Sequence, residues 1–464
     1  MKIVKLRRFR VRGSALALPT IVIATVLLVA GCSSSGGHSS TQAKNGSSGG
    51  SSPTKTSGCP TGTASGATSS QVSVATTIID ISGGSLTDAT VGVPSTQTQE
   101  TYWRLVADSI NNSGGAGCRK IVLHFYPVNP VDAAAAQQSC LDIATAKPYI
   151  VLDTGALTEV GASNCIPAHH IVLASSYLTL DELNKYRPYY LQIGDIPEDV
   201  IHNGILGLHQ LGYFSAAKGF KKLGILYHNC TPVLYADQLS ALKAAGVTNS
   251  QIVSYNLGCP AGQSDTAASM EQAVLSFKNA GVTDVTEVNL TDYAVFTQVA
   301  QQQNYKPQYV FDDNDLPVSV KSGTNAPDPA NLDGAVDVTG TSAGEQNTPG
   351  YNLSGASQKC NSIYTAAGQP DLFKQADNYG GVVCEYLTFV QVLLGHSISA
   401  DAADLVTAMH SIGNQDFSFP GVPIDFSAAP AGSAYGVSDW RPVYYHASCQ
   451  CWQVGDPNFN QPFK

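Results

Sequence analysis

The sequence predicts an α/β chain of two Rossmann-like lobes with parallel sheets. Three observations carry that reading. Short apolar or β-branched runs alternate with helical stretches over residues 72–193, and the alternation returns over residues 221–311. Strands alternating with helices imply parallel pairing through right-handed crossovers. Between the two halves, residues 197–218 read as one long bridging helix, and 464 residues suffice for two domains of ordinary size.

In the first half, strands are expected at 72–80, 119–126, 148–152, 170–174 and 190–193, with helices at 101–110, 132–146 and 157–162. The second half is plainer. The run Leu223-Gly224-Ile225-Leu226-Tyr227 is a strand ending in a polar turn, and a helix follows with Tyr235, Leu239 and Leu242 on one face. Gly246 stands where a left-handed residue would stop that helix. A strand near 252–255 leads to a helix opening at Ser264-Asp265, with Met270, Val274 and Phe277 on one face before Gly281. Strands at 284–288 and 308–311 complete the half, and one more is expected within 332–338. Beyond these come helices from residue 361, from 379 to 394 and from 402 to 410, then strand-like segments at 422–426 and 442–453. In parallel sheets ligands sit at the carboxyl ends of strands. No glycine-rich phosphate loop opens any of the helices.

The formal net charge is −10, and six basic residues fall within the first twelve positions, so removing those twelve takes it to −16. Nucleic-acid binding needs clustered Lys and Arg, which argues against that partner. The apolar run from Ala15 to Ala30 follows the basic start, is interrupted by Pro19, and ends in Val29-Ala30-Gly31-Cys32. That tetrad resembles the lipobox of bacterial lipoproteins, in which the cysteine is lipidated; an ordinary secretory signal is the alternative. Residues 33–70 are Ser, Gly and Thr with almost nothing apolar, a composition for a flexible tether. The expected division is a signal peptide over 1–32, a tether over 33–70, one lobe of 71–195 with 340–427, and a second of 196–339 with 428–464.

Of eleven cysteines, ten remain once Cys32 is set aside as the anchor. An even number on an exported chain is most simply five disulfides. Cys230 and Cys259 follow consecutive strands, Cys140 and Cys165 lie on or after consecutive helices, Cys59 and Cys118 precede the first two strands, and Cys360 and Cys384 lie in consecutive helices. Those are the expected pairs. Cys449 and Cys451 are left over, because closing Cys-X-Cys is strained. With His446 they also offer metal-ligand types at short spacing.

Two βα halves joined by a bridging helix, behind a lipobox and a Ser/Gly tether, resemble the type I periplasmic binding proteins. More closely the chain is similar to their branched-chain amino-acid (Leu/Ile/Val) branch, the substrate-binding lipoproteins of ABC importers. The likeness spans about residues 72–455. It rests on Ala107-Asp108-Ser109-Ile110-Asn111-Asn112 with Gly114-Gly115, on Ala245-Gly246-Val247, on Tyr379-Gly380 and on Val422-Pro423-Ile424-Asp425-Phe426. The resemblance implies three hinge crossovers between the lobes, a ligand held between them, no cofactor and no catalysis. It also implies a monomer, bound to the outer face of the cell membrane by its lipid and working with an ABC permease.

By position, the resemblance implies first-lobe contacts from Thr154, Gly155, Ala156, Ser175, Ser176 and Tyr177, which would hold a carboxylate. The second-lobe candidates are Tyr235, Asn289, Asp292 and Asp313, facing an ammonium. The chemistry stands without the family: small residues let backbone amides approach an anion, and a carboxylate pairs with an ammonium. Blander roles exist for each. Ser175-Ser176 also suits a turn, Tyr235 also suits packing on its helix, and Asp312-Asp313-Asn314-Asp315 also suits a solvated loop or a weak calcium site. The loop 82–94 is long for an amino-acid binder, and residues 126–130 lack the acidic residues usual there. An enzyme is the competing class, but no Gly-X-Ser-X-Gly elbow, His-Glu-X-X-His helix or Walker loop is present. A sensor signalling to a membrane partner fits the same features.

Overall fold

The computed structural model describes residues 59–80, 94–130, 132–157, 162–175, 178–229, 232–258, 267–288, 293–313, 326–341, 343–369, 379–417 and 422–463. The first lobe runs β1 (Gln71–Ile79), α1 (Thr96–Asn112), β2 (Lys120–Val128), α2 (Ala133–Ala146), β3 (Ile150–Asp153), α3 (Cys165–Ala168), β4 (Val172–Ser175), α4 (Leu180–Lys185) and β5 (Tyr190–Gln192). All five strands are parallel, in the order β2-β1-β3-β4-β5. α5 (Pro197–Gln210) opens the second lobe, followed by β6 (Leu223–Tyr227), α6 (Pro232–Ala244), β7 (Ile252–Asn256), α7 (Ala267–Ala280), β8 (Asp284–Val288), α8 (Tyr293–Gln302), β9 (Gln308–Asp312), α9 (Pro329–Leu332) and β10 (Val336–Thr339). The order β7-β6-β8-β9-β10 repeats that of the first lobe.

Local chemistry explains the helix ends. The Ser95 and Asp132 side chains accept from the first backbone N–H groups of α1 and α2, and α4 has a full capping box of Thr179 and Glu182. Gly246 and Gly281 take φ of +82° and +74°, the left-handed stops that the sequence marks. The inner strands of the two sheets are buried on both faces, while the outer strands β2 and β7 are partly exposed. In the first lobe Leu152 and Val172 pack with Trp103 and Val106 of α1, while Val151 and Leu173 pack with Cys140 and Ile143 of α2. In the second, Val285, Tyr309 and Phe311 meet Phe277 and Phe296, while Val310, Val336 and Val338 meet Ile201, Ile205 and Leu208 of α5. Two-sided burial is why these strands read as continuous apolar runs.

Several expectations are corrected. The bridging helix stops at Gln210, because Gly212 turns left-handed (φ +82°), and only a 3-10 turn at Ala216–Lys218 follows. The helix expected at 157–162 falls mostly outside the described residues, and a short helix forms later, at Cys165–Ala168. After β10 the chain returns to the first lobe with α10 (Gly355–Ala366), α11 (Tyr379–His396) and α12 (Ala402–Ser411). α10 starts six residues before residue 361, capped by Ser354. A small antiparallel sheet follows, β11 (Asn414–Asp416), β12 (Pro423–Asp425) and β13 (Val437–Ser438), with Phe417 and Phe426 against Phe389 of α11. Ala429 and Tyr435 also pack into the first lobe, so the third crossing falls between Ser438 and Arg441, later than residue 428. β14 (Arg441–His446) and β15 (Cys451–Val454) then extend the second sheet antiparallel, making it mixed. No helix among the described residues is long and apolar enough to cross a membrane.

Disulfides join Cys59 to Cys118, Cys140 to Cys165 and Cys360 to Cys384. Cys449 and Cys451, left over in the sequence, join each other, which removes both sulfurs as metal ligands. Cys32, Cys230 and Cys259 lie outside the described residues. Residues 59–70 lie against the first lobe rather than apart from it. Arg119, 1% exposed, donates to the carbonyls of Thr68, Pro60 and Gly62, and Ala67 is buried.

In the second lobe α5 packs closely on the strands beneath it. A Cβ at Gly204 would collide with the Cβ of Asp312, and one at Gly207 with Val338 and Trp440. Gly204→Ala is therefore expected to cost about 1–3 kcal/mol in urea denaturation, as overpacking does. Gly355→Ala, whose added Cβ meets nothing within 4 Å, should change stability by less than about 0.5 kcal/mol.

Candidate functional site

The strand orders place a reversal between β1 and β3 in one lobe and between β6 and β8 in the other, at whose carboxyl ends ligands bind. β3 ends at Asp153, which is buried. Its Oδ1 accepts from Thr77 Oγ1 (2.8 Å) and from the Leu157 N–H (3.1 Å). That closes a tight turn, in which Gly155 adopts φ +106°, open mainly to glycine. Gly155 and Ala156 are buried, and no acceptor among the described residues meets either backbone N–H. Thr154 Oγ1 is buried too and makes no hydrogen bond, although it faces the Tyr379 hydroxyl. The Trp103 indole donates to Tyr379 (3.1 Å), and the Tyr386 hydroxyl donates to the Asp153 carbonyl (2.9 Å). These three aromatics brace the turn. Sequence reasoning named Tyr379 only as part of the resemblance and gave Trp103 and Tyr386 no role, because α1 and α11 lie far from β3 along the chain.

The remaining candidates are placed differently. The Ser175 hydroxyl donates to the Asp153 carbonyl (3.2 Å) at the end of β4. Ser176, Tyr177, Asn289 and Asp292 lie outside the described residues. Tyr235 stacks on Tyr227 (centroids 3.9 Å apart, planes within 8°), and its hydroxyl donates to Ser254 Oγ (2.7 Å). Asp312 and Asp313 are buried, at 2% and 7% exposure, so these two are not a solvated loop; Asn314 and Asp315 are outside the described residues. Asp313 accepts from the Gly340 N–H and from Thr341 Oγ1 (3.1 Å), which ties the end of β9 to the second crossing.

A second carboxylate works alongside it. Asp195, on the first crossing, accepts from the Ser438 N–H (2.9 Å) on the third. Asp195, Asp313, Gly340, Ser438 and Trp440 help line a small recess where the crossings meet. Burial pushes the Asp313 carboxyl up, opposed by the Gly340 and Thr341 donors and by the Arg441 guanidinium. Asp337 on β10 is fully buried with neither oxygen hydrogen-bonded. Burial first, and then the nearby Asp313 and Asp312 charges, hold its pKa well above the usual carboxylate range. Arg441 answers this negative charge from β14. It is fully buried, ion-pairs with Glu345, donates to the Tyr351 hydroxyl (2.7 Å) and lies 4.4 Å over the Phe459 ring. Among the described residues no group of three His, Cys, Asp or Glu side chains could hold a metal ion.

Known structures share this fold. A solute-binding protein of an ABC transporter from R. palustris, solved with 4-hydroxybenzoate, superposes with a TM-score of 0.60 at 10% identity, over 84% of this chain and 97% of that one. A type 1 periplasmic binding protein from Bordetella pertussis gives 0.59 at 14% identity, over 85% and 100%. The chain has the type I periplasmic-binding-protein fold. The branched-chain amino-acid binding protein LivJ from Streptococcus pneumoniae, solved with isoleucine, shares it with a TM-score of 0.57 at 14% identity, over 83% and 99%. No family model and no curated protein sequence matches the chain. The fold supplies two lobes and three crossings; the residues at the strand ends are this chain's own.

The crossings make stability pH-dependent. Burial, with Asp199 and Asp313 adding repulsion, raises the Asp195 pKa to about 8, against the Ser438 hydrogen bonds that lower it. In an unfolded chain the same group titrates near 4, as an ordinary aspartate does (roughly 3.9). Between those values the folded state holds a proton that the unfolded state has lost, so this contribution is full below about pH 4 and declines as pH rises to about 8. Urea denaturation should show stability falling from pH 5 to pH 8, by up to about 1 kcal/mol per pH unit. Asp195→Asn should make the profile shallower, with the raised carboxyls of Asp313 and Asp337 keeping a residual slope, and a wild-type curve already flat would contradict the assignment.

Proposed function

We propose that this chain is an extracytoplasmic solute-binding lipoprotein. It captures a small polar ligand bearing a carboxylate, an amino acid or a related amide or acid, between its lobes, and delivers it to an ABC importer. One observation carries the reading: the buried N–H groups of Gly155 and Ala156, unmet by any described acceptor, beside the unbonded Thr154 hydroxyl. Buried backbone donors are nearly always satisfied, so such a pair at a strand end asks for an external acceptor. An anion held by neutral donors is the matching chemistry. The solved structures of this fold with isoleucine and 4-hydroxybenzoate carry carboxylate-bearing ligands, which supports the same choice. Ser176, Tyr177, Asn289 and Asp292 complete the proposed contacts, with Asp292 available for an ammonium group. Tyr235 and Asp313 are engaged within the second lobe and at the crossing, and we propose for Asp313 a part in setting lobe closure.

A thermal-shift panel of amino acids, aromatic acids and their primary amides tests this. A carboxylate ligand should raise the melting temperature, and its amide should not. Thr154→Val should weaken that ligand about tenfold or more, the value of a hydrogen bond to a charged group (about 1.5–3 kcal/mol). An amide that binds as tightly as its acid overturns the anion site.

The anchor is separable. With Cys32 lipidated, Cys32→Ala should move the protein from the membrane pellet to the medium. Retention of the variant after confirmed signal cleavage removes the lipid from the proposal.

A further inference from the structure

At the turn between β14 and β15 the bridged Cys449 and Cys451 are separated by Gln450 alone. Cys449 is exposed and Cys451 half-buried. We propose that this bridge is a thiol–disulfide exchange site, opened and closed by low-molecular-weight thiols while the rest of the fold stays oxidised.

The bridge Cys59–Cys118 provides the contrast within the same chain. Its cysteines are exposed as well, but it spans 59 residues rather than 2. Its partners are held together independently of the bond, since Arg119 grips the carbonyls of Pro60 and Gly62 beside Cys59. Opening it leaves the two thiols in place to close again. Both bridges involve a backbone conformation that non-glycine residues adopt rarely, with Cys118 at φ +61° and Gln450 at φ +50°, but only Gln450 lies inside a ring closed by its own neighbours. Opening the ring frees that residue. A cross-link over so short a span also removes little chain entropy from the unfolded state. Cys360 and Cys384 are at most 3% exposed, which shields their bridge, and in Cys140–Cys165 one sulfur-bearing residue is fully buried while Cys165 is half-buried.

The surroundings fit the chemistry. The Gln453 side-chain amide lies 3.9 Å from Cys449 Sγ and 4.0 Å from Cys451 Sγ, a donor to whichever sulfur leaves as thiolate. An incoming thiolate attacks the exposed Cys449 Sγ. A bond forms between the two sulfurs, the Cys449–Cys451 bond breaks, and its electron pair departs on Cys451 Sγ, which takes a proton from water. A second thiolate then attacks the external sulfur of the mixed disulfide and releases Cys449. Two small thiols are oxidised to one disulfide and the protein bridge is reduced; oxidised small disulfide runs the sequence backwards. Gln453 Nε2 also donates to the Asn347 carbonyl (3.0 Å), so the exchange site is hydrogen-bonded to the segment that follows the second crossing.

The full chain, isolated oxidised, is equilibrated in graded mixtures of reduced and oxidised glutathione. Thiols are then trapped by alkylation and each cysteine pair is read by peptide mass spectrometry. Cys449–Cys451 should reach half-reduction at a lower ratio of reduced to oxidised glutathione than Cys59–Cys118, by about tenfold or more in the exchange constant. A ratio equal to or above that of Cys59–Cys118 overturns the proposal. Cys451→Ser addresses the attacked sulfur: oxidised glutathione should leave one glutathione on Cys449, and an unmodified Cys449 overturns that assignment. The wild-type titration decides the proposal even where the variant fails to fold, and neither readout depends on solute binding.

Discussion

Two aspartates hold the meeting place of the lobes. Asp195 reaches from the first crossing to the backbone of the third, and Asp313 reaches from the end of β9 to the backbone of the second. Each makes a connection that a helix or sheet ladder cannot, because the three crossings share no regular hydrogen-bond pattern. Backbone donors at a bend need acceptors, and a carboxylate can supply two at once. Enclosing those acids is costly, and the cost is visible in their raised pKa values. Arg441 partly offsets it from the neighbouring strand, through Glu345 and the Asp313 field. The arrangement of the lobes therefore rests on a few polar contacts at a bend, while the apolar cores lie within each lobe.

The fold was legible because its signals are local. Two-sided burial makes β3, β4 and β6 apolar along their length, and Gly246 and Gly281 mark helix ends through their left-handed backbone. What escaped the sequence was decided by tertiary contact. Nothing between residues 210 and 216 announces the end of α5 except Gly212, which a helical pattern tolerates. The antiparallel addition of β14 and β15 depends on Val336 facing Tyr444 across 108 positions of chain, and no periodicity reports a partner at that distance. The Cys449–Cys451 bridge was set aside for its short span, yet a tight turn between two paired strands brings the sulfurs together.

At the site, the residues at strand ends were legible and their partners were not. Thr154, Gly155 and Ala156 follow from the end of β3, and their small side chains are a chemical clue in themselves. That Asp153 caps the turn, and that Trp103, Tyr379 and Tyr386 brace it, depends on residues 50 positions upstream and more than 220 downstream. Tyr235 shows the reverse case. By resemblance it is a candidate to face an ammonium, with packing on its helix as the blander role, but Tyr227 offers a flat apolar face and Ser254 an acceptor, so its ring stacks and its hydroxyl is engaged within the lobe.

The way residues 59–70 join the fold has a mechanical meaning. They attach through Cys118 and Arg119, at the head of β2, and β2 is the outer strand of its sheet, with three strands between it and β5, from which the first crossing departs. A pull on the chain ahead of Cys59 therefore loads a covalent bond and an edge strand, and passes into the first sheet as shear along β1 and β2. Those two strands pair over nine consecutive residues, the longest ladder in the described fold. Such a load would be taken up along that ladder, on the far side of the sheet from the strand that leads into the first crossing.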